Sequence, residues 1–207
     1  MRTSSTERSF VNLSHVVWIG GTSCSGKTTV ARLLAKLCGL AVYSTDDHFD
    51  RHAREAGRHT QPKIYAYQRD DPVMDQRDQL PAEKAQLWRG FYAERFPMIA
   101  TELAAGGPVV AEGVDLLPDC VAAVADPKRS AWLVPAHGFW EPRHFRERSW
   151  VESEQTAEAA ERSWAYYRDM IDHHHERCAA LGLHLIEVDG SLSAADITTG
   201  LAGRFGL

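Results

Sequence analysis

The sequence predicts an α/β domain whose centre is a mainly parallel sheet of five strands. Three observations predict it. Five short apolar runs of strand length alternate with segments in which apolar residues recur at helical spacing. The first run ends in glycines and passes straight into a helical pattern, as a strand–turn–helix unit does. The chain has 207 residues, 44% of them hydrophobic, which suits one packed core with room for a small insertion.

Taken in order, residues 15–20 (HVVWIG) read as a buried strand. Residues 27–38 carry Val30, Leu33, Leu34 and Leu37 on one helical face, and Gly39 is the expected stop. Residues 40–45 (LAVYST) form the second strand. Residues 47–80 are polar and rich in Arg and His, and are expected to be an irregular excursion. Pro81 opens a helical stretch to about residue 105, with a break or kink expected at Pro97. Residues 108–111, 131–134 and 184–188 supply the other three strands. Before the last strand lies a long helix whose inward stripe is Ala157, Ala160, Trp164, Tyr167, Ile171, His174, Cys178 and Leu181. The whole chain reads as a single domain, with a flexible tail over 1–12.

The composition narrows the function. A net charge of −5 and a pI near 6.0 argue against general affinity for nucleic acid or anionic membrane. No apolar run approaches the roughly 20 residues needed to span a bilayer, and the polar N-terminus lacks the apolar stretch of a secretory signal. Cys24, Cys38, Cys120 and Cys178 are widely spaced and form no CxxC pair, which points to a reduced, cytoplasmic protein. Either a monomer or a homodimer fits.

The decisive segment is Gly21-Thr22-Ser23-Cys24-Ser25-Gly26-Lys27-Thr28, which matches the phosphate-binding pattern G-x-x-x-x-G-K-[ST]. Glycines let the backbone come close to phosphate oxygens, successive N–H groups form an anion nest, and the following helix adds the positive end of its dipole. The expected ligand is ATP with Mg²⁺, bound by residues 21–29, Thr29 included. Lys27 would bridge the β- and γ-phosphates, and the Thr28 hydroxyl would ligate the metal.

These residues resemble the nucleoside and nucleotide kinase branch of the P-loop NTPases. The resemblance implies a three-layer P-loop fold with a helical or looped substrate insertion over 48–106 and an Arg-containing lid over 137–150. It also implies transfer of the γ-phosphate of ATP to a small-molecule acceptor. Ser44-Thr45-Asp46-Asp47-His48-Phe49 is similar to the S-x-D element of uridine kinases and phosphoribulokinases, where the Asp is the catalytic base. Asp46 matches that position better than Asp47, and an acidic cap for the next helix is the competing role. Val109-Val110-Ala111-Glu112-Gly113-Val114 resembles the Glu-Gly strand end of uridine kinase-like and 2-phosphoglycerate kinase-like proteins. That implies Glu112 near Mg²⁺ or the acceptor, with Asp46 also beside the metal. Arg143, Arg146 and Arg148 lie where the family's lid closes, and Arg143 and Arg146 are taken as catalytic. Asp189 and Gly190, after the last strand, correspond to a loop beside adenine, or are simply a turn before the final helix.

The resemblance stops at the middle of the chain. Residues 51–69 carry Arg51, Arg54, Arg58, Lys63 and Arg69 against Glu55, with Tyr65 and Tyr67 between them. They suggest a pocket for an anionic acceptor, and Asp47, Phe49, Arg54 and Tyr65 join Asp46 and Glu112 as acceptor-site residues. Trp88, Phe91, Tyr92 and Phe96 have helical spacing and read as packing. In His173-His174-His175 neighbouring side chains diverge by about 100°, so they cannot share one ion, and His174 reads as a core histidine. An NTPase switch that hydrolyses its nucleotide and a nucleotide-sensing module without chemistry are the other readings. No N-K-x-D guanine motif occurs.

Overall fold

The computed structural model describes residues 12–69, 71, 74, 80–136, 139 and 157–207. The five expected strands form: β1 (Val16–Gly21), β2 (Ala41–Ser44), β3 (Val109–Glu112), β4 (Ser130–Pro135) and β5 (His184–Val188). All pair in parallel, in the order β2-β3-β1-β4-β5. The described helices are α1 (Lys27–Cys38), α2 (Phe49–Glu55), α3 (Pro62–Tyr67), α4 (Pro81–Ala104), α5 (Pro118–Ala122), α6 (Ala157–Leu181) and α7 (Ala194–Phe205).

β1 shows why the fold has three layers. Every residue of VVWIGG is buried, and successive side chains leave the strand on opposite faces. Val16 and Trp18 enter a core with Phe96, Ile99 and Leu103 of α4 and Cys178 of α6. Val17 and Ile19 enter the other, with Val30, Ala31 and Leu34 of α1 and Ile197, Leu201 and Phe205 of α7. Each fully buried Val or Ile contributes about 1.5–3 kcal/mol relative to exposure.

Three expectations need correction. Residues 47–80 are not simply irregular: α2 and α3 form there and pack Ala53, Ile64 and Ala66 against Phe91 of α4. Local polarity hid them because each is only six or seven residues long and fully buries just two, His52 and Ala53 in α2 and Ile64 and Ala66 in α3. α4 also runs unbroken through Pro97. Pro97 and Ala93, whose carbonyl loses its helical donor, are both exposed, so water can satisfy the freed group. On α6, Tyr167, Ile171, His174 and Cys178 are buried as expected, but Leu181 is exposed because the helix ends there. Ala157 and Ala160 lie outside the described side chains. Among the described residues, no helix is long and apolar enough to cross a membrane, and all four cysteines are free.

Candidate active site

The site forms at the C-terminal ends of β1, β2 and β3, the edge at which open parallel sheets bind ligands. The loop after β1 has the geometry a phosphate cradle needs. Cys24 and Gly26 adopt left-handed φ values of 62° and 84°. Gly21, at φ 125°, passes so close to β4 that a Cβ would overlap the Leu133 carbonyl. No side chain caps α1, and no acid stands in its first turn, whereas α7 is capped by a reciprocal Ser193–Asp196 pair. α1 thus keeps its N-terminal dipole for an anion. Thr22 Oγ1 is buried without a partner among the described residues. Uncapped helix, left-handed backbone and orphaned hydroxyl together fit a polyphosphate.

Lys27 is buried within the loop, where its Nζ donates to the Thr22 carbonyl at 2.5 Å and Ser25 Oγ donates to the same oxygen at 2.9 Å. Burial lowers the Lys27 pKa to about 8, with Glu112, Asp46, Cys24 and Asp115 pulling it back up. Thr28 Oγ1 donates to Glu112 Oε2 at 3.1 Å, and Ser44 Oγ donates to Glu112 Oε1 at 2.7 Å. Two hydroxyls and one buried carboxylate make an all-oxygen set, which suits Mg²⁺ completed by phosphate and water. Among the described residues no group of three or more His, Cys, Asp or Glu side chains gathers to hold a metal by itself. Thr29 is exposed on the first turn of α1.

Asp46 and Asp47 follow β2 in a short 3₁₀ turn and are both exposed. Asp46 lies within electrostatic reach of Lys27 and of Asp115. Gly113 brings the strand ends together: its N–H donates to the Ile19 carbonyl, and a Cβ there would overlap Thr45 Oγ1 and come within 2.8 Å of Thr45 Cβ.

The remaining sequence choices scatter. Phe49 stacks on Phe91 at 5.9 Å within an aromatic cluster that includes Tyr67. Tyr65 lies under the Arg69 guanidinium, 3.5 Å from ring centroid to Cζ. Arg54 is exposed on α2. The basic residues of this segment are largely engaged within the protein, since Arg51 pairs with Glu102 at 2.6 Å and Lys63 with Glu94 at 2.7 Å. Asp189 Oδ1 accepts from the Ser191 backbone N–H at 2.8 Å and from its hydroxyl at 2.5 Å, and the Phe139 ring packs over Gly190. Arg143, Arg146 and Arg148 lie outside the described residues. Phe91 and Phe96 are buried, as packing residues should be, while Tyr92 lines a small recess with Thr22, Ser23, Val114, Tyr166 and Tyr167. His174 is fully buried; burial lowers its pKa to about 4, and its Nδ1 contacts the Met170 carbonyl at 2.7 Å.

Sequence reasoning missed the buried pair behind Asp46. Arg95 and Asp115, each 1% exposed, pair at 2.8 Å. Burial raises the Asp115 pKa and Arg95 opposes that shift. Arg95 could have been suspected, as a charge four residues from both Phe91 and Ile99 and therefore on the apolar face of α4. Asp115 had no local signal.

The chain thus has an α/β/α fold with a parallel sheet ordered β2-β3-β1-β4-β5, a glycine-rich loop of the phosphate-binding pattern after β1 and an acid at the end of β3. No family model matches the chain, and no curated protein matches it by sequence. Solved structures do match. One is shikimate kinase from Acinetobacter baumannii in complex with shikimate, at 17% identity and TM-score 0.53, covering 90% of this chain and 89% of that one. Another is the Bacillus subtilis YorR protein in complex with phosphorylated GDP, at 14% identity and TM-score 0.45, covering 93% of this chain and 96% of that one. The first establishes that the fold is shared over nearly the whole length of both chains.

Proposed function

We propose that this protein is an ATP-dependent kinase that moves the γ-phosphate of ATP·Mg²⁺ to a hydroxyl or phosphate of a small metabolite. The observation that carries the reading is the hydrogen-bonded junction of Thr28, Ser44 and Glu112. It fastens the phosphate loop, the end of β2 and the end of β3 into one site beside Lys27 and Asp46.

Bound Mg²⁺ would neutralise charge on the β- and γ-phosphates, held by the Thr28 hydroxyl with Glu112 behind it. Lys27 leaves the Thr22 carbonyl to contact the phosphates and stabilise the transferring group. For a hydroxyl acceptor, Asp46 orients that group and takes its proton as the oxygen attacks the γ-phosphorus. One P–O bond forms to the acceptor, the bond to the β-phosphate bridging oxygen breaks, and ADP leaves. Positioning and electrostatics supply most of the acceleration in such transfers.

The test is coupled ADP release over nucleosides, nucleotides, sugars, sugar acids and aminoglycoside-like compounds. Acceptor-dependent release is expected, and Asp46→Asn should lower kcat about 10²–10⁴-fold while ATP affinity stays within about threefold. ADP release indifferent to every acceptor would replace the kinase with an NTPase. Nucleotide binding without any release would leave a sensing module.

A further inference from the structure

Asp46 is exposed on a three-residue turn, yet in-line transfer demands a base held to a fraction of an ångström. What holds it is buried behind it. Thr45, immediately before Asp46, is 0% exposed and fixed at three atoms. Its N–H donates to the Glu112 carbonyl at 2.9 Å, its Oγ1 donates to Asp115 Oδ2 at 2.8 Å, and its carbonyl accepts from Arg95 Nη2. Beyond the turn, Arg95 holds the chain again. Its Nε donates to His52 Nδ1 at 3.0 Å, and its guanidinium lies 4.9 Å from the Phe49 ring centroid. Its third arm, Nη1, donates to Asp115 Oδ2 at 2.8 Å. One planar cation thus contacts residues 45, 49 and 52, which bracket the turn that carries Asp46.

The second layer fixes the geometry of the first. Because His52 Nδ1 accepts from Arg95, the proton sits on Nε2, which donates to Glu102 Oε1 at 2.6 Å. Glu102 also accepts from the Tyr43 hydroxyl at 2.7 Å and pairs with Arg51. Arg95 and Glu102 both belong to α4, so the turn is referenced to a 24-residue helix packed on that face of the sheet. A lysine would not replace it, since an ammonium carries its three donors on one nitrogen, whereas the guanidinium holds Nε, Nη1 and Nη2 apart in one rigid plane and so reaches His52, Asp115 and Thr45 together.

We propose that Arg95, seated on Asp115, is the positioning residue of this site: it clamps both flanks of the 46–48 turn and thereby sets the Asp46 carboxylate for catalysis. This rests on the kinase reading given above, and the experiment separates failure of one from failure of the other. Hydrogen exchange is followed by mass spectrometry on Arg95→Lys and the unsubstituted protein, and ATP·Mg²⁺ affinity is measured by calorimetry. Exchange across residues 45–52 should rise at least 30-fold in the variant, while residues 16–28 and the ATP Kd remain within about threefold. Acceptor-dependent ADP release is then measured for Arg95→Lys, Asp46→Asn and the double variant, with any compound of the five-class panel that supports turnover. Arg95→Lys should lower kcat at least 30-fold with a smaller change in acceptor KM. In the double variant the two losses should fall well short of multiplying, because Arg95 acts through Asp46.

Unchanged exchange at 45–52, losses that multiply fully, or a loss of ATP binding equal to the loss of turnover would each overturn the clamp and leave the kinase standing. Absence of ADP release from every acceptor removes the kinase reading, and this inference with it. If Arg95→Lys does not fold, Thr45→Val removes only the hydroxyl bond to Asp115 and carries the same two measurements.

Discussion

If the protein binds ATP as proposed, Lys27 should make that affinity pH-dependent, and its burial sets the direction. In the free protein its ammonium is buried, and its pKa stands at about 8 instead of the usual 10.5. Against a triphosphate that pKa must rise again, because opposite charge favours the protonated form. Binding above pH 8 therefore requires the protein to take up a proton. If the bound form stays protonated to about pH 10, apparent affinity should be nearly constant from pH 6 to 7.5 and fall about tenfold between pH 7 and 9, some 1.4 kcal/mol. Titration calorimetry at pH 9, in two buffers of different ionisation enthalpy, should show uptake of close to one proton per ATP. Lys27→Arg, whose guanidinium does not titrate in this range, should abolish both the slope and the uptake, whatever its absolute affinity. Flat affinity from pH 7 to 9 with no proton uptake would refute the account of a buried, neutralisable lysine. The free protein's stability should move the opposite way. Between pH 8 and 10.5 the unfolded chain holds the proton that the folded one has lost, so this group makes folding more favourable as pH rises.

Three further outcomes follow from the same geometry. His174 is buried and its pKa is lowered to about 4 by desolvation, so its contribution is intact above pH 6.5 and is lost as pH falls from 6.5 towards 4. His174→Phe should remove about 2 kcal/mol of that acid sensitivity between urea melts at pH 7 and pH 5. Gly113→Ala forces a methyl into Thr45 and should cost about 2 kcal/mol, seen as a fall in Tm of about 4–8 °C, with kcat falling further because Asp46 follows Thr45. Glu112→Gln keeps one oxygen acceptor for Thr28 or Ser44 but removes the charge, and should raise the Mg²⁺ concentration for half-maximal activity about tenfold.

The phosphate loop was legible because its chemistry is contiguous. Eight successive residues must carry the glycines, lysine and hydroxyl, and the strand before them and helix after them announce themselves by periodicity. The five strands could be read for the same local reason. The long helix could be read as well, down to His174 as a core residue, because burial on one face leaves a 3.6-residue stripe. Contact placed the aromatic residues of α4 that read as packing. Phe91 and Phe96 went into cores, and Tyr92 reached the recess beside the phosphate loop.

Pairings between distant residues were decided by the tertiary structure alone. Thr28 meets Glu112 across 84 positions, Thr45 meets Asp115 across 70, and Arg95 reaches Thr45 across 50. No periodicity encodes such meetings, because they arise where strand ends converge after the sheet has assembled. The basic segment at 51–69 shows the limit most plainly. Its charges suggested an anionic ligand, but in the fold Arg51 pairs with Glu102 and Lys63 with Glu94, acids more than thirty positions away. Sequence therefore determined the glycine-rich loop after β1 and the sheet that carries it, since both are written in runs of neighbouring residues. Which charges pair with one another across the fold was decided by packing, because the energy of a charge depends on what the fold places beside it.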